Sequence, residues 1–333
     1  MLKGKEMRYL TRKDVESLNI TMAEFIDVME MVYCEKGKGQ VIMPPKAPMH
    51  PRQFASITAM PGCIPALDAS GVKVISGFTS NYAIGMDYIH GLYVLTCPET
   101  GAPLSVMDCV WLTGMRTGAV TGMTARHLAK KDSSAVTIVG CGMQGRVSLD
   151  ALMCVMGGLK DIYVTDVVDK TLTSYVEEMR CKYVGLNIVP VHTDGLENAV
   201  RQSDIVVTCV PSDVNPDYEV IRREWLVKEG VTVIPVDVGV SFKPEALEAS
   251  FYDKIYVDDI RQYQHFRQEG YALRAPETPP EIGKMLIDEI PGRVSDSERI
   301  LAINIGTGLA DLGAAKYIYD RALREDAGTM LPL

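Results

Sequence analysis

AVTIVGCGMQGRVSLDALMCVMGGLKDIYVTD, residues 135–166, decides the fold. The apolar run Val136, Thr137, Ile138, Val139 meets the turn Gly140, Cys141, Gly142, Met143, Gln144, Gly145. Val147, Leu149, Leu152, Val155 and Met156 then supply one face of a helix, and a second β-rich run, 162–164, ends at Asp166. Strand, G-x-G-x-x-G, helix, strand and acid within about thirty residues form a dinucleotide-binding fingerprint.

Each residue type in it has a physical task. Gly140 permits the tight turn off the strand, Gly142 lets backbone approach a pyrophosphate, and Gly145 lets helix and sheet pack closely. The helix N-terminus offers unpaired N–H groups and the positive dipole end, and Met143 and Gln144 stand there. A carboxylate at Asp166 would bond the ribose hydroxyls of NAD and repel the 2′-phosphate of NADP; Val167 and Val168 behind it supply no arginine. A glycine-rich turn could serve no ligand, but the flanking strand, helix and acid favour a bound dinucleotide.

At 333 residues the chain has room for two domains, and 47% hydrophobic with 23% charged residues is an ordinary globular balance. A net charge of −9 argues against a nucleic-acid partner. The longest uncharged run, 53–67, is too short and too broken by proline and glycine to span a bilayer, so no membrane association is expected. The opening MLKGKEMRYL lacks an apolar core, so no signal peptide is expected. Eight cysteines without a C-x-x-C pair suit free thiols in a reducing cytoplasm, and no metal site is expected from their spacing or from the scattered histidines.

Outward from the fingerprint, residues 7–39 read as an opening segment and one helix, with a capping box at Thr21 and Glu24 and a stop at Gly37. Short β-runs follow at 41–43, 55–59, 71–78 and 91–97, then a hairpin through 98–107. A long small-residue helix, 110–131, leads into the first strand of the fingerprint. Beyond it, strands at 188–191, 204–210, 231–238 and 254–257 continue a βα alternation, which predicts a doubly wound parallel sheet. Helical stretches flank a proline-rich break at 276–280, and a glycine-rich loop at 306 opens a last helix. The expected class is α/β, a Rossmann domain over 131–306 plus a smaller β-rich α+β substrate-binding and dimerisation domain over 1–130, completed by 307–333.

The run TGAPLSVMDCVWLTGMRTGAVTGMTARHLAKKDSSAVTIVGCGMQG, 100–145, resembles the ornithine cyclodeaminase/mu-crystallin family. Supporting matches span the chain in order: Met60-Pro61, Gly71 to Val74, Asn81, Thr208, Pro211 and Ser212, Val257 to Asp259, and Thr307 to Ala310. The resemblance implies a homodimer with an active site at a cleft, where the hydride of NAD faces an amine or imine carbon. It implies cofactor contacts at Asn81, Arg116, Thr117, Thr208, Pro211 and Ser212, beside Gly140, Gly142, Met143, Gln144, Gly145 and Asp166.

Four further positions bear on chemistry. Lys73 matches the family's active-site lysine and would orient a substrate carboxylate or carry a proton; a solvated strand lysine is the bland alternative. Arg116 matches an arginine that contacts substrate and cofactor, and its guanidinium fork suits a carboxylate. Lys46 stands where the family usually has an arginine, and would hold a carboxylate as a point charge. The family's catalytic aspartate falls on Gly239; Asp237, two residues earlier on the same face of an extended chain, would replace it or be a structural strand-end acid. Lys46, Tyr82, Met86 and Tyr88 are candidates for lining the substrate pocket.

Three functions fit. The first is an NAD-dependent oxidoreductase acting on a C–N bond, either an amino-acid dehydrogenase or an imine or ketimine reductase, with Lys73 and Asp237 as proton carriers. The second is ornithine cyclodeamination, weakened by the altered aspartate segment. The third is a dinucleotide-binding protein without catalysis, disfavoured by the retained Lys73 and Arg116.

Overall fold

The computed structural model describes residues 4–211 and 220–333, with Tyr82 in backbone only. The chain opens with a strand, β1 (Glu6–Leu10), and two helices, α1 (Arg12–Ser17) and α2 (Met22–Gly37). The expected capping box is present: Thr21 accepts from Glu24 N, and Glu24 accepts from Thr21 N at 2.8 Å. Five strands follow, β2 (Ala47–Met49), β3 (Ala55–Ile64), β4 (Ala69–Phe78), β5 (Ile89–Thr96) and β6 (Pro103–Asp108). The strand expected at 41–43 is reduced to a bridge between Ile42 and Cys63, because the prolines 44 and 45 delay regular pairing to Ala47.

Next come α3 (Val110–Leu128), β7 (Ala135–Val139), α4 (Met143–Val155), β8 (Asp161–Thr165), α5 (Asp169–Lys182) and β9 (Asn187–Pro190). They are followed by α6 (Leu196–Gln202), β10 (Ile205–Thr208), β11 (Thr232–Pro235), β12 (Lys254–Val257), α7 (Ile260–Gln268), α8 (Ile282–Leu286) and β13 (Ile300–Ile303). The chain then continues through α9 (Gly308–Glu325) to β14 (Thr329–Pro332). The short strands β1, β13 and β14 were not expected from the sequence.

Two compact units result: 1–116 with 307–333, and 117–306. The division falls inside α3, earlier than the boundary expected at 130. Gly118 explains why the rest of α3 belongs to the second unit: a Cβ there would lie 2.5 Å from Val147 O of α4.

In the described residues of the first unit a seven-stranded sheet runs β14-β1-β6-β5-β4-β3-β2. It is antiparallel except where β1 pairs with β6. Helix α9 packs on β3, β4 and α2, and Gly313 allows the close approach, since a Cβ there would meet Val32 Cγ2 at 2.3 Å. The second unit carries a seven-stranded parallel sheet, β12-β13-β11-β10-β7-β8-β9. Its strands are buried on both faces, Val206, Val233 and Leu301 on one, Ile205, Val207 and Ile234 on the other. Strand order reverses between β7 and β10, where open α/β sheets bind ligands. Among the described residues no helix is long and apolar enough to cross a membrane.

Candidate functional site

In the first unit, β4 places Lys73 between Met60 of β3 and Tyr93 of β5. Its side chain is only 1% exposed. The helix that covers it starts at Thr307, whose hydroxyl accepts from Ala310 N at 3.1 Å. Gly308 lets that first turn press on the sheet; a Cβ there would stand 3.0 Å from Pro61 O. The turn delivers Asp311, fully buried, to the lysine: Asp311 Oδ2 lies 2.7 Å from Lys73 Nζ. Asp311 Oδ1 accepts from Arg116 Nε at 2.8 Å. Lys73 also donates to Thr113 Oγ1 at 3.4 Å.

Burial alone would raise the Asp311 carboxyl, but Arg116 and Lys73 outweigh it and hold it below the ordinary carboxylate range. Burial lowers Lys73, and Asp311 only partly restores it against the nearby Arg116. The cluster therefore sets two cations on one anion, and burial holds the lysine below its ordinary value. Arg116 uses only Nε on Asp311, and its two terminal nitrogens have no hydrogen-bond acceptor among the described residues. A buried site with surplus positive charge and an open guanidinium edge suits a carboxylate ligand.

Lys46 lies half-buried just ahead of β2. Asn81 donates Nδ2 to Asp87 O at 2.9 Å, and its backbone carbonyl accepts from Met86 N at 3.0 Å. The Tyr82 side chain lies outside what is described; Met86 is 47% exposed.

The second unit holds the glycine turn. Gly140 has φ +102°, and a Cβ there would sit 2.8 Å from Cys209 O. Gly145 admits no side chain, since a Cβ would fall 2.1 Å from Gly140 O. Gly142 differs: a Cβ there meets nothing within 4 Å, and as N-cap of α4 it offers no side chain to the first N–H groups. Open space in front of uncapped donors is what a pyrophosphate needs, so the residues present fit a dinucleotide. Met143 is 43% exposed at that helix start, and Gln144 Oε1 is buried with no hydrogen-bond partner among the described residues. Asp166 braces the turn, accepting from Cys141 N at 2.8 Å and Val168 N at 2.9 Å. A carboxylate oxygen keeps further lone pairs for a hydroxyl.

Thr117 is buried, and Pro211 is exposed, three residues beyond the end of β10. Ser212 lies outside the described residues. Thr208 donates to Asp237 Oδ1 at 2.8 Å, so its hydroxyl is engaged within the unit. Asp237 also accepts from Gly239 N at 3.1 Å and Ser241 Oγ at 2.6 Å. Burial pushes its carboxyl up, and these donors only partly oppose the rise. The chain then turns through Val238 and Gly239 at φ 60° and 87°. Position 239 is held in the left-handed region that favours glycine, and a side chain there would also have to displace Leu247 Cδ1 at 2.8 Å.

Lys73 and Arg116 thus come together on a carboxylate that the sequence did not single out. Asp311 had one signal: a charge among Gly, Leu and Ala in a stretch that otherwise reads as apolar. Asp237 sits in the other unit, on two donors of its own loop, Gly239 and Ser241, and on Thr208 at the end of β10.

The profile of the ornithine cyclodeaminase/mu-crystallin family matches residues 5–326. The chain is 30% identical to nodulation efficiency protein NfeD of Rhizobium meliloti, over 98% of each. It is also 30% identical to alanine dehydrogenase of Archaeoglobus fulgidus, again over 98% of each. Among solved structures, Δ1-pyrroline-2-carboxylate reductase of Thermococcus litoralis, in complex with NADH and L-proline, superposes with a TM-score of 0.84. That match has 27% identity and covers 97% of this chain and 99% of the reductase. With its fingerprint turn, its buried lysine and a profile match along nearly its whole length, the chain belongs to the ornithine cyclodeaminase/mu-crystallin family.

Proposed function

We propose that the chain is an NAD-dependent oxidoreductase acting on the C–N bond of a small amino acid or a cyclic imine that carries a carboxylate. The observation that carries this is the buried Lys73–Asp311–Arg116 cluster, which joins a carboxylate-binding edge to a lysine that burial holds below its ordinary value. The named activities of the alanine dehydrogenase and the pyrroline-carboxylate reductase support it. NAD fits the second unit better than NADP because Asp166 closes the ribose side of the turn with negative charge. When bound, the nicotinamide supplies or accepts the hydride. In the reductive direction Arg116 and Lys46 would hold the substrate carboxylate, and Lys73 Nζ would give its proton to the imine nitrogen. Asp311 keeps the lysine charged until then. In the oxidative direction neutral Lys73 would take the proton from the amine. Asp237, whose oxygens serve Thr208, Gly239 and Ser241, is read as the brace of its loop.

A cytoplasmic homodimer completes the proposal. None of the eight cysteines is in a disulfide. The sheet face away from Lys73 exposes Val74 by 42% and its cross-strand partner Leu92 by 45%, apolar surface that a second copy would cover. Size-exclusion chromatography with light scattering tests this; a monomer would overturn it.

The activity is tested by following reduced nicotinamide absorbance with amino acids plus NAD, and with keto acids plus amines, or cyclic imines, plus NADH. Steady change with one pair supports the proposal. Ornithine consumed and proline formed without net change would assign a cyclodeaminase. NADH binding without turnover on any pair would assign a binding protein.

A further inference from the structure

Arg146 follows the last fingerprint glycine, in the first turn of α4, and every nitrogen of its guanidinium is engaged. Nε donates to Glu178 Oε2 at 2.7 Å and Nη2 to Ser174 Oγ at 3.4 Å. Both acceptors are on α5, four residues apart, so they share one face of that helix. Tyr175 beside them lies against the guanidinium, with Cζ 5.3 Å from the ring centroid, and its hydroxyl donates to Gly145 O at 3.2 Å. Nη1 reaches into the turn itself, donating to Cys141 O and to Gly142 O, the latter at 3.3 Å. As a tie between α4 and α5 alone, the Arg146–Glu178 pair contributes little, because Glu178 is 52% exposed.

The two carbonyls decide where two N–H groups point. A trans peptide is planar, with its C=O and N–H directed oppositely, and the described residues contain no cis bond. Holding Cys141 O therefore aims the N–H of Gly142 the other way, and holding Gly142 O does the same for Met143. Neither N–H has an acceptor among the described residues, and a Cβ on Gly142 would meet nothing within 4 Å. The helix itself fixes the second peptide, through Arg146 N on Gly142 O at 3.2 Å. The first lies ahead of the helix, and among the described residues the guanidinium is the donor to its carbonyl. We propose that Arg146 is a positioning residue for the cofactor: anchored by Glu178, Ser174 and Tyr175, it turns the Cys141–Gly142 peptide so that Gly142 N–H, together with Met143 N–H, donates to the pyrophosphate. The guanidinium also polarises both peptides from behind, which strengthens the two donors. A lysine lacks the planar fork that spans these acceptors. This rests on the glycine turn as the dinucleotide site.

The test reads binding, without turnover, in the full chain. NADH is titrated by fluorescence, and ADP and adenosine are then used to displace it, since ADP carries the pyrophosphate and adenosine does not. Arg146→Met should weaken NADH and ADP about tenfold each and leave adenosine within about twofold. Its melting temperature should stay within about 4 °C of the wild type. Arg146→Lys should fall between the two. Glu178→Gln, which removes the anchor and keeps the arginine, should weaken NADH about threefold, and serves if Arg146→Met does not fold. NADH and ADP affinities within about twofold of wild type in both Arg146→Met and Glu178→Gln overturn the proposal. An equal loss of adenosine also overturns it, because the arginine would then hold the turn together without aiming it at phosphate. A wild-type chain that binds neither NADH nor ADP would refute the dinucleotide site itself and this inference with it, an outcome read before any variant is made.

Discussion

Asp311→Asn is the most informative single change. The carboxylate is fully buried and holds Lys73 at 2.7 Å and Arg116 at 2.8 Å, so the amide leaves two cations without their anion. Breaking a buried pair from one side costs about 3–5 kcal/mol, a large share of the roughly 5–15 kcal/mol that keeps a typical domain folded. The site has one escape: Lys73 can lose its proton, since burial and Arg116 already depress it. The loss then becomes pH-dependent. In the unfolded chain Lys73 holds its proton up to 10.5, whereas the folded variant releases it at lower pH. Below 10.5 the unfolded state therefore binds more protons, and stability rises with pH through that window. The wild type has the same sign with a smaller slope, because Asp311 favours the charged lysine. Urea unfolding at several pH values, read by Trp111 in a Trp225→Phe background, measures both quantities. Loss below about 1 kcal/mol together with an unchanged pH slope would show that the Asp311 charge does not compensate these cations.

Gly142→Ala should fold normally and lose NADH binding at least tenfold, whereas Gly145→Ala should destabilise the second unit; calorimetry and melting curves separate the two. Asp166→Ser should weaken NADH binding and narrow the preference over NADPH, seen by fluorescence titration with each. Lys73→Met should lower kcat by at least about a hundredfold while NADH affinity stays within twofold. Asp237→Asn should lose stability but keep kcat within about tenfold; a loss comparable with Lys73→Met would make it a proton carrier after all.

The cofactor half of this protein was legible because its information is local. Gly140, Gly142, Gly145 and Asp166 fall within one βαβ unit, and each has a backbone reason to be what it is. Lys73 and Arg116 were legible through family resemblance, not through any property of the strand or helix that bears them. Asp311 was not legible, because its role is defined by Lys73 and Arg116, and the nearer of these is 195 residues away. Asp237 could be read either way for a similar reason. Whether a carboxylate is a base or a brace depends on its donors, and Thr208 arrives from another strand.

The route of the chain also sets an order of assembly. Residues 117–306 are contiguous, so everything that shapes the glycine turn is synthesised in one stretch. The sheet around Lys73 must wait for α9, which emerges last. At about 5–20 residues per second, the 195 residues separating Arg116 from Asp311 take roughly 10–40 s to make. Through that interval Lys73 and Arg116 lack their counter-ion and the β3–β4 surface lacks its cover. Nascent chains stalled before residue 307 should therefore engage chaperones through their N-terminal segment, and release them only as α9 docks.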